Sequence, residues 1–397
     1  MTTDRLDGDR LDADRLVAEA VALAGVDDFG EDTWQEGLDV LVASLRTEAR
    51  LHELGVEIAA GDVVAYLANR LAITAWRADH PEIATGAIES PIVIVGQPRT
   101  GTTILYDLLA QDPGLRAPLT WEVDRPMPPP ETATYDTDPR IDEVQANLDM
   151  ADSLIPGFTT FHPMGARLGQ ECVRITGGDF RSMIFPTQYR VPTYNRWLLH
   201  EADLAPAYRW HRQYLQHLQS RHPAPQWLLK SPAHLWHVDA LAGEYPDVVM
   251  VQTHRDPLTV IASVSALVAH LRRMASDDTS IAEAAGTYAD DIFCGLDRGM
   301  DARDRGVIAD SQIVDVHFAE FVADPLSSIG RLYDAMGRQL TAETERRMRS
   351  FLEDHPGDGG GGGTRYRFAD TGLDAGELRE RATRYQRRFD VESEPLR

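Results

Sequence analysis

The sequence predicts an α/β fold, P-loop-like, in which a parallel sheet is flanked by helices and preceded by a helical N-terminal segment. Four short apolar segments recur along the chain, and helix-like sequence follows each: Pro91–Val95, Trp227–Leu229, Val248–Val251 and Ile313–His317. Apolar strands that alternate with helices are typical of a parallel sheet covered on both faces. The first segment also runs directly into a glycine-containing loop, which indicates the opening of a βα unit.

The composition narrows the classes of partner. The chain has 397 residues, of which 43% are hydrophobic, and its net charge is -24. Because so acidic a surface repels nucleic acids and anionic membranes, no nucleic-acid partner is expected. An anionic small molecule would need a local cluster of donors. A homo-oligomer is compatible with the sequence.

Location and membrane association are predicted from the same composition. Cys172 and Cys294 lie far apart, which argues against a disulfide framework and favours a reducing compartment. The first residues contain no apolar signal-peptide core, and no run of eighteen apolar residues occurs. A cytoplasmic protein without a membrane span is therefore expected.

The N-terminal segment, residues 1–90, is predicted to be helical from about Leu16 onward, over residues 16–90. Leu38, Leu41, Val42 and Leu45 recur at helical spacing, and a second set does the same around Leu67. We treat residues 1–90 as one segment and residues 91–397 as the main domain.

Two later stretches lack such periodicity. Residues 112–165 are rich in Pro, Asp and Thr, which predicts mostly loop. Gly357–Gly363 is almost entirely glycine and suggests a hinge within a lid around residues 356–368. A further helix is expected at Gly376–Arg388.

The strongest local motif is the loop Gly96–Thr103, between the first strand and a helix predicted to begin near Thr102. Strand, glycine loop and helix N-terminus together direct backbone N–H groups at an anion. The spacing equals that of a Walker A loop, but Thr102 occupies the position of its lysine and Arg99 lies inside the loop. A nucleoside triphosphate is thereby disfavoured, and a shorter anion fits better. An ordinary βα turn remains the structural alternative.

A second cluster is Lys230-Ser231-Pro232-Ala233-His234. Among the 39 basic residues of the chain, Lys230 is the single lysine. It ends an apolar strand, where α/β sheets place ligands. A compact ammonium rather than a planar guanidinium is therefore indicated at this point, although a surface lysine would also follow a strand.

A third cluster, His254-Arg255-Asp256-Pro257, again follows an apolar strand, and Ser263 lies two turns into the next helix. Taken singly, Arg255 reads as a salt-bridged structural arginine and Ser263 as a buried helix serine.

The three clusters together resemble the motifs of the PAPS-dependent sulfotransferases, where PAPS is 3′-phosphoadenosine-5′-phosphosulfate, and most closely those of the bacterial, actinobacterial-like branch. The matching patterns are P-R-x-G-T-T, K-S-P-x-H and H-R-D-P followed by a serine, in this order. The resemblance begins near Pro91 and includes Phe321–Pro325 and Arg384-Tyr385. It implies transfer of a sulfonate group from PAPS to a hydroxyl, with release of 3′,5′-ADP.

The resemblance also implies roles for individual residues. The loop that binds the 5′-phosphosulfate corresponds to Arg99, Thr100, Gly101, Thr102 and Thr103. The pair that grips the 3′-phosphate corresponds to Arg255 and Ser263, and a basic lid to Arg365, Tyr366 and Arg367. Lys230 corresponds to the lysine that stabilises the bridging oxygen of the leaving nucleotide. No metal is expected, since no metal-ligand spacing occurs.

The general base stays open between Glu122 and His234, with Glu171 as a third candidate. Glu122 lies where tyrosylprotein-type sulfotransferases carry a catalytic glutamate, and burial would have to raise its pKa; a salt bridge to Arg125 is its structural alternative. His234 titrates in the right range, and packing at a helix start is its alternative.

An acceptor site for a small-molecule or lipid alcohol is expected in an insertion around residues 112–200. Its candidate residues are mostly aromatic and equally suited to a core: Phe158, Phe161, His162, Glu171, Phe185, Tyr189 and Tyr194.

Two rival functions use the same scaffold. A nucleotide-dependent kinase predicts a Walker lysine, which is absent, and an acidic Mg²⁺ ligand, for which Asp256 is a weak substitute. A non-catalytic nucleotide-binding protein would have no need of Lys230 beside a candidate base.

Overall fold

The computed structural model describes residues 10–154, 164–355 and 366–396. The helices in its first half are α1 (Ala13–Ala24), α2 (Trp34–Glu48), α3 (Glu53–Asp79), α4 (Thr102–Leu109), α5 (Thr120–Asp124), α6 (Arg140–Leu154), α7 (Cys172–Thr176), α8 (Ile184–Gln188), α9 (Pro192–His200) and α10 (Ala205–Gln219).

The second half continues with α11 (Val238–Glu244), α12 (Pro257–Arg272), α13 (Ile281–Asp304), α14 (Phe318–Ala323), α15 (Pro325–Ala335), α16 (Ala342–Asp354) and α17 (Ala375–Phe389). The strands are β1 (Ile92–Gly96), β2 (Leu228–Lys230), β3 (Val249–His254) and β4 (Ile313–His317). Short 3₁₀ helices occupy Pro81–Thr85, Tyr135–Thr137, Gly177–Asp179, Pro232–Trp236, Asp310–Gln312 and Phe368–Thr371.

The described residues form two compact units. Unit 1 comprises residues within 1–88, 118–223 and 268–279, and unit 2 those within 89–117, 224–267 and 280–397. The whole sheet and all three sequence clusters belong to unit 2.

The sheet of unit 2 is parallel throughout, with strand order β2-β1-β3-β4. The predicted α/β class with helices around a parallel sheet is confirmed. Along the chain, β1 is followed first by its neighbour on one side, β2, and then by its neighbour on the other side, β3. The strand order therefore changes direction at β1, and α/β sheets bind ligands beyond the carboxyl ends of the strands at such a point.

Apolar side chains hold this sheet in place. All five residues of β1 are buried, and Ile92 and Ile94 pack with Leu105 and Leu109 of α4 in one hydrophobic core. Since β1 and α4 are both anchored in that core, the short loop between them is held at both ends.

Unit 1 is mainly helical. The apolar face predicted for α2 is buried, with Leu38, Leu41 and Leu45 at most 2% exposed, and Leu67 and Leu71 of α3 are fully buried. The prediction that residues 16–90 are helical thus agrees with the structure. The division of the chain into two parts at residue 90 stays a prediction.

The loop predicted for residues 112–165 is partly wrong, because α5 and the fifteen-residue α6 lie within it. Ile141, Val144 and Leu148 recur at helical spacing and pack against Trp121. Their tertiary contacts outweigh the loop-like composition around them.

Of the helices the structure describes, α3 alone is long and apolar enough to cross a membrane, with a mean hydropathy of 1.2 over 18 residues. Its Arg70 is buried and donates to the carbonyls of Phe29 and Glu31 and to the Asp179 carboxylate. These contacts make α3 a core helix of unit 1.

Candidate active site

The loop after β1 has a backbone shape that depends on glycine. Gly96 has φ 141° and Gly101 has φ 84°, both in the region that disfavours side chains. A Cβ atom at Gly96 would lie 2.2 Å from Oγ1 of Thr253, and one at Gly101 would lie 3.0 Å from the Phe318 ring. Arg99 also has a positive φ of 68°, a strained conformation that is frequent at binding sites.

Hydroxyl groups brace the loop from within. Thr100 Oγ1 donates to the Gln97 carbonyl at 2.6 Å and lies 2.6 Å from Thr253 Oγ1. The Gln97 amide donates to the carbonyl of Ile292. The side chain of Thr100 therefore maintains the shape of the loop.

Helix α4 begins at Thr102, as the sequence predicted, with Gly101 before it in the left-handed conformation. The first N–H groups of a helix have no partners within the helix, and they carry the positive end of its dipole. Thr102 and Thr103 lie in this first turn. The loop and the helix start can therefore bind an anion.

Lys230 lies beside this helix start. It ends β2, opposite Ile94 of β1, and its side chain is 1% exposed. Its Nζ donates to Thr103 Oγ1 at 3.3 Å and lies 5.5 Å from the centre of the Tyr106 ring. The predicted convergence of Lys230 and the glycine loop is thus observed.

One turn after Thr103, α4 carries a buried carboxyl that sequence reasoning missed. Burial raises the pKa of Asp107 to about 6, against the opposing charges of Lys230 and His355. A lone acid in the apolar run of α4 was its only signal in the sequence.

Arg255 and Ser263 are also brought to the loop. Arg99 Nε donates to Ser263 Oγ at 3.1 Å, and Arg255 Nη1 donates to the Arg99 carbonyl at 2.9 Å. The Arg255 guanidinium stacks 4.0 Å from the centre of the Phe318 ring. Through Arg99, the loop Gly96–Thr103 and the third cluster, with Arg255 and Ser263, form one connected group.

A second missed residue is Glu394, whose carboxylate accepts two hydrogen bonds from Arg255, at 2.7 and 2.9 Å. The alternative prediction, that Arg255 forms a salt bridge, is therefore also observed. No sequence signal connects residues so far apart along the chain.

Next to Arg255, a chain of hydrogen-bonded side chains holds the buried ring of His254 at the end of β3. His254 contacts the Tyr385 hydroxyl through Nδ1 at 2.9 Å and the Asp315 carboxylate through Nε2 at 2.8 Å. Arg303 completes this chain with two hydrogen bonds to Asp315. Burial lowers the pKa of His254, so the ring is neutral at pH 7, donating to Asp315 and accepting from Tyr385.

Among the candidate bases, Glu122 lies in α5 of unit 1 and is 0% exposed. Its Oε1 accepts from the Leu119 N–H at 2.9 Å and from the Tyr135 hydroxyl at 3.2 Å. Arg125, which the sequence suggested as a salt-bridge partner of Glu122, pairs with Glu143. Glu122 thus caps its own helix.

His234 lies in the 3₁₀ helix directly after β2 and is 2% exposed. The hydroxyl of Ser231 caps this helix by accepting from Ala233 N–H. Nearby, burial lowers the pKa of His237 to about 3, helped by the charges of Arg298 and His234.

The predicted acceptor residues that the structure describes lie in unit 1. Phe185 is fully buried and packs among the rings of Tyr66, Phe180 and Tyr194. Tyr189 is 3% exposed. Glu171 precedes α7 and is partly buried. Three further candidates, Phe158, Phe161 and His162, lie outside the described residues.

Unit 1 contains a cavity of about 320 Å³ lined by apolar and charged side chains, among them Tyr66, whose ring packs against Phe185. Asp62 lines it and accepts from the Tyr189 hydroxyl at 2.6 Å. Its wall also holds the ion pair of Asp124 with Arg174, at 2.9 Å. Burial raises the pKa of Asp62 despite the nearby charge of Arg174.

The expected basic lid is described only in part, because Arg365 and the glycine run lie outside the described residues. Arg367 is 72% exposed and pairs with Asp370 at 2.7 Å. Tyr366 and Arg367 directly precede the 3₁₀ helix Phe368–Thr371.

Unit 2 therefore contains the backbone N–H groups and cationic side chains that the binding of a doubly anionic nucleotide requires. At Gly96 and Gly101 the loop lies so close to Thr253 and Phe318 that its backbone shape depends on glycine, and N–H groups in such a loop can bind an anion. Lys230, Arg99 and Arg255 concentrate positive charge in an otherwise acidic protein. Within the described residues, no three His, Cys, Asp or Glu side chains form a metal-binding group.

Comparisons with known proteins identify the family of the chain. Residues 91–342 match the model of the sulfotransferase family. The chain is 24% identical over 276 residues to omega-hydroxy-beta-dihydromenaquinone-9 sulfotransferase Stf3 of Mycobacterium tuberculosis, a match over 67% of this chain and 68% of Stf3.

Two solved structures are similar over nearly the whole chain. Sulfotransferase STF9 from Mycobacterium avium is 31% identical, with a TM-score of 0.86 over 96% of this chain and 97% of STF9. Sulfotransferase STF1 from Mycobacterium tuberculosis H37Rv is 32% identical, with a TM-score of 0.82 over 93% of this chain and 97% of STF1.

Proposed function

Because the chain belongs to the sulfotransferase family and is an enzyme that transfers a sulfonate group to a hydroxyl acceptor, we propose that unit 2 binds PAPS as the donor and releases 3′,5′-ADP. The observation that carries this proposal is the meeting of Lys230 with Thr103 at the start of α4. The loop that precedes Thr103 is in turn connected to Arg255 and Ser263 through Arg99.

Hydrogen-bond donors of unit 2 can be assigned to each of the two anionic ends of PAPS. The backbone of Arg99–Thr103 and the start of α4 would hold the 5′-phosphosulfate. Arg255 and Ser263 would hold the 3′-phosphate, since a guanidinium fork suits phosphate geometry. The family resemblance stated for these positions supports the same assignment.

Lys230 would stabilise the charge that develops on the leaving oxygen. When bound, PAPS supplies the sulfonate group and a nucleotide leaving group. Sulfonyl transfer by displacement spreads charge over oxygens, so catalysis rests on positioning and on electrostatic stabilisation, as in phosphoryl transfer. The nearly complete burial of Lys230 strengthens its field, because little water screens it.

A general base must take the proton of the acceptor hydroxyl, and Glu122 and His234 remain the two candidates. Glu122 is supported by full burial and by the Tyr135 hydroxyl that orients its carboxylate. His234 is supported by its place in unit 2, four residues after Lys230. Glu171 is the third candidate and is only partly buried.

We propose a lipid or other apolar alcohol as the acceptor. The name of Stf3 indicates a hydroxylated menaquinone as the acceptor of that relative, which supports a lipid alcohol here. The acceptor would be held in unit 1, in the cavity lined by Asp62, whose carboxylate accepts a hydrogen bond from the Tyr189 hydroxyl. Asp62, Asp124 and Arg174 would accommodate hydroxyl or carbonyl groups of its head.

A cytoplasmic location and a lid formed by Arg365–Arg367 complete the proposal. A reducing compartment suits both cysteines, neither of which forms a disulfide. The lid is proposed on the family resemblance alone.

Ligand-induced stabilisation tests the donor assignment. The melting temperature should rise more with 3′,5′-ADP than with equal concentrations of AMP or ATP, because only 3′,5′-ADP carries the 3′-phosphate. Equal shifts from all three nucleotides would contradict the assignment, and a larger shift with Mg²⁺–ATP would favour the kinase alternative. Incubation with PAPS and a panel of alcohols, followed by mass spectrometry for a sulfonate gain, then identifies the acceptor.

A further inference from the structure

The contact between Arg255 and Glu394 places a carboxylate where a phosphate is proposed to bind. Arg255 uses Nε and Nη2 for the two oxygens of Glu394, at 2.7 and 2.9 Å. This two-pronged geometry is the one in which arginine also binds phosphate. The third nitrogen, Nη1, donates to the Arg99 carbonyl, so Glu394 occupies the outward prongs.

The backbone of Glu394 is held independently of its side chain. Its N–H donates to the buried Asp256 carboxylate at 2.7 Å, and its carbonyl accepts from Arg379 at 3.0 Å. Arg379 also pairs with Asp256 at 2.6 Å, and Gln386 donates to the Val391 carbonyl. The segment is therefore tethered at this place, whereas the carboxylate can rotate away from Arg255.

We propose that Glu394 is a built-in competitor for the 3′-phosphate: it occupies Arg255 in the nucleotide-free enzyme, is displaced when the donor binds, and returns as 3′,5′-ADP leaves. The proposal rests on the assignment of Arg255 to the 3′-phosphate. A tethered carboxylate acts at high effective concentration, and it would repel the dianionic 3′-phosphate. Glu394 would thus lower the affinity for 3′,5′-ADP and accelerate its release.

Calorimetric titration with 3′,5′-ADP and with AMP tests the proposal, because AMP lacks the group that competes. Glu394→Gln should tighten 3′,5′-ADP binding by roughly fivefold, the upper range for a partly exposed ion pair, and leave AMP binding unchanged. Stopped-flow release of 3′,5′-ADP should slow by a similar factor. Glu394→Gln keeps both backbone contacts, and an unchanged melting temperature will verify that it folds.

Glu392→Gln is the matched control, since it removes the same charge from the same segment at an exposed position. It should change neither affinity. Unchanged or weaker 3′,5′-ADP binding in Glu394→Gln would overturn the proposal and would assign Glu394 to the orientation of Arg255. An equal gain in Glu392→Gln would also overturn it, since general charge would then explain the effect.

Arg255→Gln separates this proposal from the proposed function. If Arg255→Gln loses the preference for 3′,5′-ADP over AMP while Glu394→Gln gains nothing, only the competitor role is wrong. If Arg255→Gln keeps that preference, the 3′-phosphate lies elsewhere, and the assignment of Arg255 and the role of Glu394 both fail.

Discussion

Replacing Lys230 by methionine removes the ammonium charge while keeping an unbranched side chain of similar length. Lys230 is 1% exposed, so in its proposed role its charge would act on the leaving oxygen with little screening. Loss of one such preorganised electrostatic contact typically costs about 10²–10³ in kcat, or about 3–4 kcal/mol. We expect Lys230→Met to lose kcat in this range.

Lys230→Arg separates charge from shape. Its larger guanidinium must enter a buried space between Thr103 and the Tyr106 ring, and overpacking of this kind costs about 1–3 kcal/mol. The planar group would also move the charge away from the position of Nζ. We therefore expect Lys230→Arg to lose most of its turnover too, while its affinity for 3′,5′-ADP changes less than its kcat.

The assay is the initial rate of sulfonate transfer from PAPS to the best alcohol of the panel, with the sulfated product quantified by mass spectrometry. Calorimetry with 3′,5′-ADP provides the measure of folding and nucleotide binding. A second readout is Asp107, whose pKa should rise above about 6 in Lys230→Met because the opposing charge is gone. Retention of more than half of kcat in Lys230→Met would refute the assigned role.

Three further predictions concern the base, the buried acid and the loop. Glu122→Gln and His234→Gln should differ sharply in kcat, with at least a hundredfold loss in the variant that lacks the base; if both stay active, the base lies elsewhere. Burial raises the pKa of Asp107 to about 6 from an ordinary 3.8, so ionisation at higher pH costs the folded state up to about 3 kcal/mol. The wild type should therefore be most stable below pH 4 with respect to this group and lose that contribution as the pH rises through 6. In urea unfolding, Asp107→Asn should be the more stable variant at pH 8 and equal to wild type near pH 4; a constant difference between these pH values would contradict the assignment. Gly96→Ala should weaken 3′,5′-ADP binding and destabilise the protein by about 2 kcal/mol or more, because its Cβ would lie 2.2 Å from a threonine hydroxyl of β3. Gly243→Ala, in α11 with no atom near the added Cβ, is the control and should unfold at an equal or higher temperature.

Local patterns in the sequence were sufficient to predict the central architecture. Each apolar segment is one of the observed strands, and the first strand, its glycine loop and the helix starting at Thr102 appear where the spacing predicted. The location of Lys230 also followed from local signals, since a strand of a parallel sheet directs its last residue toward the ligand edge. Each of these signals depends only on residues close together along the chain.

The loop-like composition of residues 112–165 led to a wrong prediction for α6, whose apolar face packs against Trp121. Such packing supplies most helical stability in proteins. Glu122 likewise looked like a partner for Arg125, yet it accepts hydrogen bonds from Leu119 and Tyr135. Which carboxylate an arginine selects depends on the side chains that folding brings near it.

The sequence by itself determined the fold class, the place of the glycine loop before α4 and the place of the single lysine, because each depends on residues adjacent along the chain. Only the tertiary structure decided what those groups touch. The pairing of Arg255 with Glu394, the chain of hydrogen bonds from His254 through Asp315 to Arg303, and the buried acid behind Lys230 join segments far apart in sequence. Hydrogen bonds and ion pairs are set by distances of a few ångströms in the folded chain, and no local pattern records them.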